Sequence, residues 1–239
     1  IKLWPAGAAA LVIAVIVAVI VDRARISGGF AMGLVVWLAG AAALDIAERV
    51  KLFRIPLAQS VTRAKGLPGA AWGAAIAHGG LALFALGAAS LSLWKSETVQ
   101  LMNEGDTAEI AGYMVTLQSV ERLRGPNYEA ERATFLAEKK GEGVLLSGER
   151  RFYPVRGMET SEAAIRARGL HDLYISFGAN NSGRGWPVRL FFNPFVGCLW
   201  WGAALTALGG LVAFGDRGRK PAKLRKPSKN RETTTNKPP

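Results

Sequence analysis

Four long apolar segments constrain this chain more than any other feature of its sequence. They cover approximately residues 3–21, 30–47, 72–94 and 194–215. A helix needs about 20 mostly apolar residues to cross about 30 Å of hydrocarbon, and each segment approaches that length. The sequence therefore predicts an integral membrane protein, an α-helical bundle with four transmembrane helices.

The distribution of positive charge predicts how these segments are oriented. The chain has 30 Lys and Arg against 18 Asp and Glu, and Lys and Arg are dense in residues 48–71 and 216–239. Short flanks rich in Lys and Arg stay cytoplasmic. Four spans then place both termini in the cytoplasm and residues 95–193 in the periplasm of a bacterium. Anionic lipids attract the same charge, so it predicts no nucleic-acid partner.

The two regions outside the bilayer differ in composition. Residues 216–239 are rich in Lys, Pro and Thr, which predicts a basic disordered tail. Residues 95–193 have the length of a small domain. Apolar and polar residues alternate there in four stretches separated by turn signals, namely residues 113–120, 144–155, 172–178 and 188–192. The alternation predicts a small antiparallel β-domain between spans three and four. One short helix is expected at residues 161–168, with Thr160 or Ser161 as N-cap and Gly169 beyond its end.

His78 is the main candidate for chemistry, because ionisable residues inside a membrane segment mark function by default. Small side chains dominate the helix face around it, and Gly79 follows it directly. The residues three, four and seven positions away are Ala74, Ala75, Leu81, Ala82 and Ala85. Such a bare face would let a flat macrocycle bring its iron to the imidazole. Packing against another helix and proton handling remain alternatives.

A second axial ligand for such an iron is not evident in the chain. The only other histidine, His171, lies in the outer region and is expected at its surface. The helix from His78 to Trp94 covers about 24 Å, so His171 is too distant to reach the same iron. Neither Met32 nor Cys198 is clearly at the depth of His78. A second ligand would come from another chain or another region.

The remaining polar residues suit ordinary structural roles at least as well as catalytic or binding roles. Asp45 and Arg49 have the spacing of an ion pair within a helix. Several outer arginines would meet haem propionates or an acidic partner, or else line a solvated strand face: Arg122, Arg124, Arg150, Arg151 and Arg156. The sequence contains no recognisable catalytic triad, carboxylate dyad, phosphate loop or metal cluster, and its single cysteine has no disulfide partner. We assign no catalytic residue.

Three ordered blocks resemble a known family. They read AGYMVTLQSVERLRGPNYEAERATF, RRFYPVRGMETSEAAIRARGLHDLYISFG and WPVRLFFNPFVGCLWWGAALTALGGLVAF. They are similar in order and spacing to the C-terminal portion of CcmF, the haem-lyase subunit of the cytochrome c maturation system. The resemblance covers about residues 72–214 and extends more loosely to the two earlier spans.

The resemblance implies a function in the bacterial inner membrane. Family members accept haem from a CcmE-type haem chaperone and, with a CcmH-type subunit, attach it to the CxxCH cysteines of apocytochrome c. They also hold a b-type haem between two transmembrane histidines, and His78 falls at one of these positions. The resemblance therefore implies that His78 is an axial ligand of the iron of haem b.

The chain also departs from the family pattern. It lacks the WWD segment, because Trp200 and Trp201 lie inside a span, and it lacks the two periplasmic histidines and the other transmembrane histidine. The chain also begins with Ile1. We therefore expect a C-terminal portion that acts with an N-terminal part of the haem lyase and is inactive alone. The alternative is a non-catalytic membrane scaffold whose outer domain docks maturation partners. A transporter is disfavoured, since transporters usually carry broken helices and several midplane polar residues.

Overall fold

The structure is a computed structural model that describes residues 4–20, 26–180 and 183–216. Its helices are α1 (Trp4–Ile20), α2 (Ile26–Arg49), α3 (Leu57–Lys65), α4 (Gly69–Leu93) and α5 (Gly197–Asp216). Within the described residues, three segments are long and apolar enough to cross a membrane: Gly28–Arg49, Gly69–Leu93 and Gly197–Asp216. They match the second, third and fourth predicted spans to within a few residues.

The first predicted span is also helical, but its described part is shorter. Helix α1 has 17 residues, and its most apolar described stretch is Gly7–Ile16. The four-span count therefore stays a prediction. The predicted disordered tail falls outside the described residues, apart from Asp216. That residue is the last of α5 and not part of the tail.

Helices α4 and α5 pack most closely because glycines line their contact. Gly73, Gly80 and Gly87 recur at two-turn intervals on α4, and Gly202 and Gly209 lie opposite on α5. A Cβ added at Gly73, Gly80 or Gly87 would lie 2.5–2.7 Å from the nearest backbone atom of α5. Small residues let membrane helices approach at backbone distance.

Helix α2 packs on another side of α4 through ordinary apolar side chains. Met32 and Val35 of α2 join Ala89 and Leu93 of α4 in a small buried cluster. The short helix α3 follows α2 and is largely exposed. Its last turn carries Arg63 and Lys65, and the indole of Trp72 donates to Ala64 O at 3.1 Å, which ties α3 to α4.

The β-domain between α4 and α5 is a sandwich of two antiparallel sheets. Its strands are β1 (Ser96–Met102), β2 (Thr107–Ile110), β3 (Tyr113–Arg124), β4 (Glu129–Lys139), β5 (Glu142–Tyr153), β6 (Met158–Glu162), β7 (Ala164–Arg168), β8 (His171–Phe177) and β9 (Trp186–Asn193). One sheet has the order β1-β9-β8-β7 and the other β2-β3-β4-β5-β6. Val115, Leu117 and Phe135 of the larger sheet meet Leu173 and Ile175 of the smaller sheet in one buried core. The predicted antiparallel β-domain is confirmed.

The predicted helix at residues 161–168 is wrong. This stretch ends β6 and forms β7, which pairs with β8 from Ala164↔Ile175 to Arg168↔His171. Ala164 is 2% exposed and Ile165 is 53% exposed, so successive side chains point to opposite faces. Gly169 has φ 62° and lies in the tight β7–β8 turn. Burial against the facing sheet outweighs the helix propensity of the local sequence.

The chain enters and leaves the sandwich at one end. Helix α4 ends at Leu93 and β1 begins at Ser96, while β9 ends at Asn193 and α5 begins at Gly197. The buried hydroxyl of Ser90 donates to Pro194 O at 2.7 Å, and the Gly197 amide donates to Leu170 O at 2.9 Å. These contacts hold the sandwich directly against α4 and α5.

Candidate functional site

His78 lies on α4 with its imidazole exposed and in a defined orientation. Its Nδ1 is 2.7 Å from the carbonyl oxygen of Ala74, four residues earlier. A carbonyl oxygen accepts only, so Nδ1 carries the proton and donates. The lone pair of the neutral ring is then on Nε2. This is the arrangement in which a metal-ligating histidine is usually oriented by its other nitrogen.

The space around His78 is open, as the small neighbouring residues predicted. A Cβ added at Gly79 would meet nothing within 4 Å, and Leu81 is 46% exposed. Successive helical residues turn by about 100°, so His78 lies roughly opposite Gly80 and the α5 contact. Within the described chain, the histidine therefore takes no part in the close α4–α5 packing.

An apolar cavity lies farther along the His78 side of α4. It has a volume of about 400 Å³ and is bordered by Gly28, Ala31 and Leu34 of α2 and by Ala85 and Ala89 of α4. Ala85 is two helical turns beyond His78 and so lies on the same face. The apolar space against α2 therefore begins about two turns beyond His78 on the same side of α4.

His78 belongs to no cluster of three or more metal-binding side chains in the part of the chain that the structure describes. No three His, Cys, Asp or Glu side chains there lie close enough together to hold a metal ion. Met32 packs with Ala89 and Leu93, about 16 Å or more along the helix from His78. Cys198 lies beside Gly87 on the opposite side of α4. Neither Met32 nor Cys198 therefore lies beside His78 in the described part of the chain.

His171 is only partly exposed at the surface of the sandwich. It is half-buried, with its ring centroid 5.2 Å from that of Phe192 and Nε2 3.4 Å from the Tyr113 hydroxyl. Burial lowers the pKa of His171 below its ordinary value, and the charges of Lys139 and Arg168 lower it further. The two histidines belong to different parts of the fold, one on a membrane helix and one in the sandwich.

Three of the outer arginines considered above, Arg122, Arg150 and Arg151, form ion pairs. Arg132 and Arg151 both donate to Glu149, and these hydrogen bonds, that of Arg132 first, hold the pKa of Glu149 below its ordinary value. Arg150 forms ion pairs with Glu131 and Glu159. Arg151 also forms an ion pair with Glu162 of β6. Pairing with neighbouring strands thus occupies both Arg150 and Arg151, as expected for a strand face. The cavity beside them has a volume of about 400 Å³ and is lined by charges of both signs.

The predicted ion pair at the end of α2 is confirmed. Arg49 Nε lies 2.9 Å from Asp45 Oδ2, one helical turn apart. The pair is partly exposed, which suits a position where the helix meets water. It contributes little to stability at such a site.

Two sets of residues were missed by reasoning from the sequence. The glycines between α4 and α5 have a visible signal, a seven-residue spacing, but the facing helix cannot be identified from that spacing alone. The second set surrounds His171 and comes from separate strands and turns, namely Tyr113, Lys139, Lys140 and Arg168. Only the sheet register brings these residues together.

The fold and sequence match known proteins over most of the chain. Residues 93–194 match the family described as the CcmF C-terminal β-sandwich. The cytochrome c-type biogenesis protein CycK of Bradyrhizobium diazoefficiens is 38% identical over 217 residues, which cover 90% of this chain and 33% of that relative. The chain therefore carries a CcmF-type C-terminal β-sandwich. It corresponds to the C-terminal part of these proteins and is a multi-pass membrane protein with a β-sandwich domain.

Another relative and a solved structure agree with this similarity. CcmF of Escherichia coli is 36% identical over 151 residues, covering 62% of this chain and 23% of that relative. A solved structure of "Cytochrome c Heme Lyase CcmF" superposes with a TM-score of 0.61 at 23% identity, covering 88% of this chain and 33% of the other. At that identity, the superposition shows a shared fold. The chain spans about a third of the length of the CycK relative and of this structure.

Proposed function

We propose that this chain is part of the membrane haem lyase of cytochrome c maturation and that His78 supplies one axial ligand to the iron of a b-type haem. The single observation that carries the proposal is the orientation of the imidazole. Nδ1 donates to Ala74 O at 2.7 Å, which leaves Nε2 as the free lone pair on an exposed ring. A neutral imidazole held this way is suited to bind iron.

The surroundings of His78 fit a flat, apolar group better than they fit proton transfer. Ala and Gly residues leave the face beside the ring open. The described residues include no cluster of three or more His, Cys, Asp or Glu side chains that would surround His78. A proton path would need such partners, whereas a haem needs one further ligand, which would come from outside the described residues.

A b-type haem at this site would supply one-electron redox chemistry that keeps incoming haem iron reduced. The residues of this chain would hold and orient it. His78 would bind the iron, Ala74 O would fix the ring orientation, and the packing of α4 on α5 would hold the helix that carries the histidine.

The proposed setting is the bacterial inner membrane, with the β-sandwich periplasmic and both termini cytoplasmic. The basic α2–α4 connection, with Arg54, Arg63 and Lys65, supports this orientation. Within the complex, the chain would act with the N-terminal part of the haem lyase and a CcmH-type subunit. Together they would attach haem from a CcmE-type chaperone to the CxxCH cysteines of apocytochrome c.

Visible spectroscopy of the assembled complex tests the ligand assignment. The reduced-minus-oxidised spectrum of this chain, purified with its N-terminal counterpart, should contain a b-type signal. His78→Ala should abolish the signal, and added imidazole should restore part of it. His171→Ala is the matched control, because it removes the only other histidine of the chain and should leave the signal intact.

A second variant separates ligand loss from misassembly. His78→Met keeps a ligand at the position, so it should shift the haem spectrum and not eliminate it. A signal that is unchanged in His78→Ala and His78→Met would overturn the assignment. The scaffold alternative would then be favoured, in which the β-sandwich docks maturation partners and His78 only packs against another helix.

A further inference from the structure

Three tight turns of the β-sandwich lie at the end that faces the membrane helices. They connect β2 to β3 at Ala111 and Gly112, β4 to β5 at Lys140 and Gly141, and β7 to β8 at Gly169 and Leu170. Leu170 is 47% exposed and its carbonyl accepts from Gly197, the first residue of α5. This end of the sandwich therefore lies at the bilayer surface.

A cavity of about 300 Å³ opens between these turns. It is lined by Tyr113, Lys139, Lys140, Glu142, Arg168 and His171. Three of these side chains are cationic and only one is a carboxylate. Glu142 is 63% exposed and its ion pair with Arg168 lies at the surface, where such pairs contribute little. The net positive charge of the cavity therefore favours the binding of an anion.

The cationic side of the cavity is held in place by aromatic rings. Lys139 Nζ donates to Ala111 O at 2.7 Å and lies 4.4 Å from the Tyr113 ring centroid and 5.4 Å from that of Phe192. These contacts keep the ammonium group beside the cavity without neutralising it.

A further cation lies next to the cavity with spare hydrogen-bonding capacity. The Arg166 guanidinium lies 6.0 Å from the Tyr113 ring centroid, and its Nη1 is buried without a hydrogen-bond partner among the described residues. The nearby Asp172 accepts a hydrogen bond from Asn193 at 2.7 Å. Positive charge therefore exceeds negative charge around His171.

We propose that this cavity binds the phosphate headgroup of an anionic membrane lipid and so fixes the β-sandwich against the bilayer. Membrane proximity favours a lipid over a soluble anion, because exposed Leu170 and the start of α5 bring the cavity to the depth of the headgroups. Phosphate suits point charges such as Lys139 and Lys140 and the fork of Arg168. The inference is independent of the role of His78.

Lipid retention by the full chain tests this proposal. The purified chain is placed in nanodiscs of phosphatidylcholine with increasing phosphatidylglycerol, and the lipid that stays bound after detergent extraction is counted by mass spectrometry. Wild type should retain phosphatidylglycerol selectively. Each surface cation near an anionic membrane contributes roughly a factor of five. Lys140→Gln with Arg168→Gln should therefore weaken the preference roughly 30-fold.

A matched double variant controls for net charge. Arg122→Gln with Arg124→Gln removes two exposed arginines at the opposite end of β3 and should leave the preference unchanged. An equal loss in both double variants would show bulk attraction to the bilayer and overturn the proposal, as would no loss in Lys140→Gln with Arg168→Gln.

A second readout distinguishes a lipid from a soluble anion. The chain has two histidines, so the His171 ring resonances can be identified with a His171→Gln variant. Phosphatidylglycerol should shift these resonances in wild type. A shift with millimolar inorganic phosphate but none with phosphatidylglycerol would identify a site for soluble phosphate and overturn the lipid assignment.

Discussion

Gly80 on α4 and Gly202 on α5 face each other where the backbones of the two helices are in direct contact. A Cβ at Gly80 would lie 2.8 Å from Gly202 O, and a Cβ at Gly202 would lie 2.7 Å from Gly80 O. Lipid tails are as apolar as helix side chains, so close packing holds membrane helices together. The two glycines therefore connect the helix that carries His78 to the helix that follows the sandwich.

Gly80→Ala should separate α4 from α5. Its Cβ would also lie 2.5 Å from the backbone nitrogen of Thr206, which cannot move independently of its helix. Overpacking of this kind costs about 1–3 kcal/mol. The loss can be measured as a lower midpoint in denaturant or thermal unfolding of the full chain in detergent.

Gly79→Ala is the control for that substitution, because a Cβ there meets nothing within 4 Å. It should leave stability unchanged or raise it by up to about 1 kcal/mol through helix propensity. Equal destabilisation by the two variants would contradict a specific contact at Gly80.

Asp216→Ala should loosen the first turn of α4. The Ala70 amide donates to Asp216 Oδ2 at 3.0 Å, whereas the N-cap residue Pro68 supplies no side-chain hydrogen bond. Asp216 thus caps α4 from the end of α5, and loss of such a cap costs about 1 kcal/mol. The Ala70 amide should exchange with deuterium faster in Asp216→Ala. Asp216→Asn keeps an acceptor, so exchange as fast as in Asp216→Ala would argue against the cap.

The membrane helices could be predicted from the sequence because length and apolarity alone define them. The strands of the sandwich that alternate clearly, such as β3 and β8, could be predicted for a similar reason. Residues 161–168 were misjudged because their helix propensity is local, whereas the burial of Ala164 depends on the facing sheet. The orientation of the His78 ring and the cluster around His171 depend on the three-dimensional arrangement of the chain, which cannot be inferred from residue types alone.

The same substitution at Ala164 and at Ile165 should change stability by very different amounts, because successive residues of strand β7 point to opposite faces. Ala164→Asp would bury a carboxylate without a partner in the sandwich core and should unfold the domain or cost several kcal/mol. Ile165→Asp places the same group on the exposed face, where surface changes stay near 0.5 kcal/mol. Near-ultraviolet circular dichroism of the full chain would report the packing of the core. Similar effects at the two positions would contradict the strand alternation.

The pH dependence of stability should contain a contribution from His171. Burial, together with Lys139 and Arg168, lowers its pKa in the folded chain below the ordinary value of 6.5. Above that value the ring is neutral in both states. As pH falls below it, the unfolded chain gains a proton that the folded chain resists, so stability falls by up to about 1.4 kcal/mol per pH unit.

The measurement compares thermal unfolding of wild type and His171→Gln at pH 7.5 and pH 5.5. Carboxylates such as Glu149, whose pKa is lowered in the folded state, contribute less to the stability of both proteins as the pH falls. The advantage of wild type over His171→Gln should therefore shrink at pH 5.5. Phosphatidylglycerol in the neighbouring cavity would favour the charged ring, raise the pKa of His171 and reduce this acid loss. An advantage that stays constant with pH would show that His171 titrates normally in the folded chain.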